Sequence, residues 1–369
     1  MKKKVLFVIG NLYSGGVESV SANILSNISK EKFEIDLAVN SIDNSSVFYE
    51  HLKKNVTKVY TYGISKDYRT ILLSLWKIWN IIKKGNYDIV HTNLDFINSI
   101  VLMLAYFAKV KKRISNSHRS MSENERKIFT KRLKYSIRCL LRPFIILFAT
   151  DKLAVSKMAG LWLYGNNQSF EIISNGVNIE RYVYNDEAYI RKRKELKVDG
   201  NFVITNIASF ETAKNHKFLI DIFENICNKL QHSKLIFVGS GMLERELKDY
   251  TVKKKLDEKI IFLGNRNDVP DILKASDVFV FPSISEGFGL AVLEAQTAGL
   301  PCFISDQIPK EVNITNTFVL PINESTEYWA KIILEKTENF IRKDSSEKIK
   351  GSKFDIKQVV QKIEHIYLK

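Results

Sequence analysis

With 369 residues, 45% of them apolar and 26% charged, the chain can bury the cores of two domains of ordinary size, which excludes a single small module. Its net charge of +15 is unevenly spread: residues 1–175 hold 27 basic against 13 acidic side chains, and residues 176–369 hold 29 against 28. Three widely spaced cysteines, Cys139, Cys227 and Cys302, argue against a disulfide framework or a zinc knuckle and suit a reducing cytoplasm.

In chain order, the opening MKKKVLFVIGN has the basic start of a signal peptide. Its apolar run is short, however, and no small-residue cleavage site follows, so it reads as a first β-strand. The longest apolar runs, such as Phe144 to Ala149, fall far short of a membrane-spanning helix, and a soluble or peripheral protein is expected. Strand-like runs follow at KVLFVI (from Lys4), EIDLAV (from Glu34), DIVHTN (from Asp88) and DKLAV (from Asp151). A second set comprises FVITNIAS (from Phe202), KLIFVG (from Lys234), KIIFLG (from Lys259), DVFVFP (from Asp277) and LPCFI (from Leu300). Stretches of helical period separate them, for example Val17, Val20, Ile24, Leu25 and Ile28. Continuous rather than alternating apolar strands predict parallel sheets covered on both faces. The alternation occurs twice, and the pattern breaks in a polar stretch from Asn178 to Gly200, which marks the domain junction.

Between Lys109 and Arg142 lie 12 basic residues and two acidic ones, Glu123 and Glu125, interleaved with Ile128, Phe129, Leu133 and Leu140. This basic amphipathic segment suits an anionic membrane surface. Nucleic acid is a competing partner, and a merely solvated face the plainest reading.

Two segments carry chemistry. The first apolar strand runs into Gly10-Asn11-Leu12-Tyr13-Ser14-Gly15-Gly16 and then a helix from near Val17; Gly15 and Gly16 let backbone approach a ligand at a helix start, although a glycine pair is more often only a turn. Neither GxGxxG nor GxxxxGK[ST] is present, which disfavours a dehydrogenase and a P-loop NTPase. The second segment, Asp277 to Pro301, ends a buried strand at Pro282, presents Ser283, Ser285 and Glu286, and opens a helix at Gly287-Phe288-Gly289. Amides there would point at a diphosphate. Glu294, roughly 7.5 Å further along that helix, could accept hydrogen bonds from ribose hydroxyls. Its neighbours Ala291, Val292, Leu293 and Ala295 are apolar, so it reads as a partly buried charge in need of a partner rather than a solvated surface glutamate.

The run SEGFGLAVLEAQTAGLP, with seven residues between Glu286 and Glu294, resembles the donor-site motif of retaining GT-B glycosyltransferases of the family 4, or group 1, type. GNLYSGGVES, IISNGVNIERY (from Ile172), FVGSGML (from Phe237) and FLGNRNDVPDIL (from Phe262) resemble other motifs of that family in the same order. ISDQIPKEVNIT (from Ile304) is similar to members acting in capsule or exopolysaccharide synthesis. The resemblance implies an α/β GT-B fold of two Rossmann-like domains with parallel sheets facing across a cleft. Residues 1–178 would form the acceptor-side domain and 179–353 the nucleotide-sugar domain, with a helix at about 354–369 packing back on the first.

It further implies that Glu294 holds the ribose, Glu286 the transferred sugar, and Gly287, Phe288 and Gly289 the diphosphate through their amides. Lys214, in ETAKNHKF, matches the family's phosphate-binding lysine, whereas Ser209 stands where the family usually has an arginine. His118, in SNSHRS, matches a histidine facing the sugar, and Asn265 and Arg266 fall near the base. The implied enzyme is a hexosyltransferase-type retaining glycosyltransferase using a nucleotide-diphosphate sugar, a UDP-sugar foremost, and a lipid-linked or saccharide acceptor. It would sit at the inner face of the cytoplasmic membrane. The chain has no Asp-x-Asp, and neither a metal nor another cofactor is expected. A nucleotide-sugar epimerase of the same double-Rossmann shape and a nucleic-acid-binding protein are the alternatives. Charge concentrated in the first half counts against the former, and the lack of stacking platforms against the latter.

Overall fold

The computed structural model describes residues 2–12, 16–42, 48–63, 68–118, 136, 140–342 and 344–369. The chain divides into two compact units, Met1–Gly176 with Ile356–Lys369, and Val177–Asp355. The crossings fall at Gly176/Val177 and Asp355/Ile356 rather than after residues 178 and 353. Val177 pairs with Asp355, and its N–H donates to Phe354 O at 2.9 Å, so both connecting stretches belong to the second unit.

The first unit is built on a parallel sheet of order β3-β2-β1-β4-β5-β6-β7. Its strands are β1 (Lys3–Val8), β2 (Phe33–Val39), β3 (Lys58–Thr61), β4 (Ile89–Thr92), β5 (Lys112–Ser117), β6 (Asp151–Ala154) and β7 (Glu171–Ile172). Around it lie α1 (Gly16–Asn27), α2 (Tyr68–Gly85), α3 (Asn98–Phe107) and α4 (Arg142–Phe148). Central β1 and β4 bury Val5 to Val8 and all of Ile89 to Thr92; in β1 the uninterrupted apolar run accounts for this, while β4 also buries the polar His91 and Thr92.

Strand β5 has no such run. Its Ser115, Asn116 and Ser117 are buried polar residues, and each finds a partner: Asn98 Nδ2 donates to Ser115 Oγ at 2.9 Å, Asn116 Nδ2 to Asn93 Oδ1 at 3.1 Å and Ser117 Oγ to Ala159 O at 2.7 Å. The 109–142 segment is therefore not one continuous amphipathic face. Residues 112–117 are an inner strand, with Lys112 and Arg113 donating to the carbonyls of Ile366 and Phe148. Most of its remainder, including Cys139, lies outside the described residues.

The second unit has a six-stranded parallel sheet of order β10-β9-β8-β11-β12-β13. The strands are β8 (Phe202–Ile207), β9 (Ser233–Val238), β10 (Ile260–Phe262), β11 (Val278–Phe281), β12 (Cys302–Ser305) and β13 (Thr317–Leu320). Among its helices are α5 (Ile179–Tyr182), α6 (His216–Lys229) and α7 (Leu290–Thr297). Phe210, Phe223, Phe237, Phe303 and Trp329 are the largest buried side chains of its main core cluster. The last helix, α8 (Ile356–Leu368), returns to the first unit: Lys3 Nζ donates to Tyr367 O at 2.8 Å, Ser29 N–H to Glu364 Oε1 at 2.7 Å, and the Tyr367 hydroxyl lies 2.7 Å from His91 Nδ1.

Candidate active site

In the second unit the chain fills the sheet outward from β8 through β9 and β10, then returns to β11 on the other side of β8. At such a reversal the loops leaving two adjacent strands diverge, and a crevice opens at their carboxyl ends. The loops leaving β8 and β11 are tied through one carbonyl: Ile284 N–H and Ser283 Oγ both donate to Ala213 O at 2.8 Å. That tie brings Lys214, from the loop after β8, onto Glu286, from the loop after β11. The ammonium donates to Glu286 Oε1 and also lies 5.8 Å above the centroid of the Phe281 ring. Both side chains are largely screened from solvent, at 18% and 12% exposure, so neither charge would be comfortable there alone.

Two glycine positions shape the same edge. At Gly239 (φ +137°) a Cβ would stand 2.0 Å from Ala208 O, and at Gly241 it would stand 2.6 Å from the Phe210 backbone. Only bare backbone lets the loop after β9 close on the loop that carries Ser209. Gly289 adopts φ +94°, the left-handed turn that starts α7. Phe288 is buried against Phe354, their centroids 5.9 Å apart, so it can offer a ligand only its backbone. The Val292 and Leu293 N–H groups donate to Gly289 O at 3.0 and 3.3 Å, and the backbone ahead of them carries the positive end of the helix dipole.

Glu294, on α7, is buried and has the partner its apolar neighbours demand: Tyr182 Oη donates to Glu294 Oε1 at 2.7 Å. Burial pushes this carboxyl up to about 7, while the Tyr182 hydrogen bond and the nearby Arg181 charge act against that rise. Asn265 Nδ2 donates to Ser240 Oγ at 2.9 Å beside the same edge. Arg266 is committed elsewhere. Its guanidinium grips Asp268 through Nε at 2.7 Å and Nη2 at 2.6 Å, in a cluster with Lys192, and that clamp holds the Asp268 carboxyl well below the usual range.

His118 and Gly16 belong to the other unit, and Gly15 lies outside the described residues. Gly16 is the exposed first residue of α1, with open space where a Cβ would stand. His118 follows β5. Its Nε2 lies 2.8 Å from Asn93 Oδ1 and 3.0 Å from Asn116 Nδ2, and burial pushes the imidazole down to about 4, so it is neutral near pH 7. No cluster of metal-ligating side chains occurs among the described residues. Sequence reading missed Tyr182 and Ala213. The buried Glu294 signalled that some donor was needed, but no pattern points to a tyrosine 112 residues away.

Two parallel-sheet units, one with Lys214 and Glu286 at its strand ends and a glycine-started helix beside them, define an α/β protein of two Rossmann-like units. Residues 189–348 match the family of glycosyl transferases group 1, and residues 14–181 match glycosyltransferase family 4. The chain is 30% identical over 372 residues to the UDP-Gal:alpha-D-GlcNAc-diphosphoundecaprenol alpha-1,3-galactosyltransferase of Escherichia coli, covering 96% of this chain and 93% of that one. It is 23% identical to the capsular polysaccharide biosynthesis glycosyltransferase CapH of Staphylococcus aureus, over 99% and 98% of the two chains. The crystal structure of Anabaena Alr3699/HepE in complex with UDP-glucose superposes with a TM-score of 0.82 at 19% identity, over 98% of each chain. The chain belongs to the family 4, group 1 glycosyltransferases and has their GT-B fold. It is a glycosyltransferase, which decides against the epimerase alternative.

Proposed function

We propose that the chain transfers a sugar from a UDP-sugar, with retention of anomeric configuration and without a divalent metal, to a lipid-linked saccharide in surface polysaccharide synthesis. The observation that carries this is the meeting of Lys214 and Glu286 at the carboxyl ends of β8 and β11, in the same unit as the glycine-started α7 and the buried Glu294. When the bond to the sugar breaks, negative charge grows on the departing diphosphate. A fixed ammonium and helix-start amides stabilise that charge more than they stabilise the ground state. Lys214 does this work in place of the arginine that Ser209 replaces, Glu286 orients the sugar through its hydroxyls, and Glu294 accepts from the ribose. His118 is proposed as a neutral hydrogen-bonding group for the transferred sugar. The donor named for the E. coli relative and the nucleotide sugar bound in the Anabaena structure support a UDP-sugar. The diphosphoundecaprenol acceptor of that relative supports a lipid-linked one.

A lipid-linked acceptor requires the enzyme to work at a bilayer, and no described helix is long and apolar enough to cross one. We place the enzyme peripherally at the cytoplasmic face. The basic residues of the 109–142 segment that lie outside β5 are one basis for this. Another is the surface of α2, α3 and α4, which pack side by side and contain no acidic residue. There Leu72, Trp76, Phe107 and Leu147 stand more than half exposed, with Lys77, Lys83 and Lys84 on α2. Apolar side chains among cations match the boundary of an anionic leaflet. The deciding experiment follows UDP release over a panel of UDP- and GDP-sugars, with and without a polyprenyl-diphosphate saccharide. Product requiring the lipid-linked acceptor and one UDP-sugar supports the reading, and equal turnover with GDP-sugars or with water alone overturns it.

A further inference from the structure

A buried carboxylate that must accept from a ligand has two difficulties. Burial favours its protonated form, and a free carboxylate on a helix can turn away from the ligand. At Glu294 both are met by one side chain. Tyr182 ends the single-turn helix α5, and α5 packs directly on α7. Its hydroxyl donates to Oε1 at 2.7 Å with both residues buried, and it is the one side chain hydrogen-bonded to this carboxylate among the described residues. Oε2 keeps its lone pairs for another donor.

We propose that Tyr182 is a positioning residue for nucleotide binding: by holding Oε1 of Glu294 it fixes the carboxylate's orientation and leaves Oε2 to accept from the ribose hydroxyls. This rests on the reading of Glu294 as the ribose-binding group. The tyrosine is suited to the role because burial and the adjacent carboxylate hold its phenol well above its ordinary value, so it remains an O–H donor throughout the working range. A donor aimed at the ionised form also opposes the upward push of burial on Glu294. The other ionisable groups on the elements packed against α7 are Glu180 and Arg181 on α5, Cys302 on β12, and Lys310 and Glu311 on the turn at Lys310–Val312. Of these, Arg181 also favours the charged form of Glu294.

The test is calorimetric binding of UDP and GDP, each beside its 2′,3′-dideoxy analogue, to wild type, Tyr182→Phe and Glu294→Gln from pH 5.5 to 8.5. Tyr182→Phe keeps the ring and removes only the hydroxyl. The expected result is about a tenfold weaker binding of the preferred nucleotide, as for loss of one hydrogen bond to a charged group. Binding of the dideoxy analogue should be unchanged, and the acid-side loss of affinity should begin at higher pH than in wild type. Glu294→Gln should lose the preference for intact ribose. A merely structural tyrosine predicts equal loss for both nucleotides with an unmoved pH profile, and that result overturns the proposal. Wild-type binding by Tyr182→Phe alongside impaired Glu294→Gln overturns it while leaving Glu294 at the ribose. Wild-type ribose preference in Glu294→Gln removes the ribose reading, and the role of Tyr182 with it.

Discussion

Lys214 and Glu286, 72 residues apart in the chain, form an ion pair at the carboxyl ends of β8 and β11 because two hydrogen bonds to Ala213 O hold their loops together. On the proposed reading the pair serves opposite ends of one substrate: the lysine a departing diphosphate, the glutamate the hydroxyls of a sugar. Until a substrate arrives, each neutralises the other.

Truncating the lysine should therefore be costly, since on the proposed reading it removes the charge that stabilises the leaving group and deprives Glu286 of that counter-charge. Lys214→Ala is expected to lower kcat about a hundredfold or more. Ser209→Arg, which restores the cation the family usually has at that position, should keep activity or tighten diphosphate binding. Steady-state UDP release checks both, and wild-type kcat in Lys214→Ala would remove Lys214 from the chemistry.

The glutamates should separate kinetically. Glu294→Ala is expected to raise the donor KM by the loss of a contact worth about 1.5–3 kcal/mol, whereas Glu286→Ala should lower kcat. Matching effects of the two changes on KM and kcat would contradict the division of labour.

Glu294 also makes stability depend on pH. Its carboxyl is raised from 4.5 to about 7 in the folded protein, so between those values the folded state holds a proton that the unfolded state has released. This group's contribution accordingly falls as pH rises through that window, by on the order of 3 kcal/mol in full. Urea unfolding of wild type and Glu294→Gln at pH 5 and pH 8 isolates the group, because His91, His118 and His216, whose burial acts in the opposite direction, are common to both proteins. The variant should gain on the wild type toward pH 8; a difference that stays constant with pH refutes the assignment.

If cationic side chains and helix amides neutralise the leaving diphosphate, turnover should survive EDTA. Strict dependence on Mg²⁺ or Mn²⁺, restored on adding the ion back, would contradict the metal-free reading.

Membrane docking is tested by co-sedimentation with anionic and neutral liposomes over a salt series. Wild type should prefer anionic vesicles and release with salt. One variant changes Lys131, Arg132, Lys134 and Arg138 to Glu; a second carries Leu72→Ser, Trp76→Ser and Leu147→Ser. Loss in either variant ties docking to its segment. Unchanged binding in both, or a preference for duplex DNA over anionic lipid, rejects the surface.

The sequence by itself determined the two doubly wound units, because strands buried on both faces must be written as unbroken apolar runs, as in KVLFVI and DVFVFP. It also determined the helix start at Gly289 and the buried carboxylate at Glu294, since backbone freedom and isolation among apolar neighbours are local properties. It hid β5, whose Ser115, Asn116 and Ser117 are buried by satisfying hydrogen bonds rather than by hydrophobicity, inside a segment that reads as a basic surface. Only the tertiary structure decided that Lys214 meets Glu286 and that Tyr182 holds Glu294. Each of these depends on which loops the strand order brings side by side, and a hydrogen bond between residues 72 or 112 positions apart leaves no periodic trace along the chain.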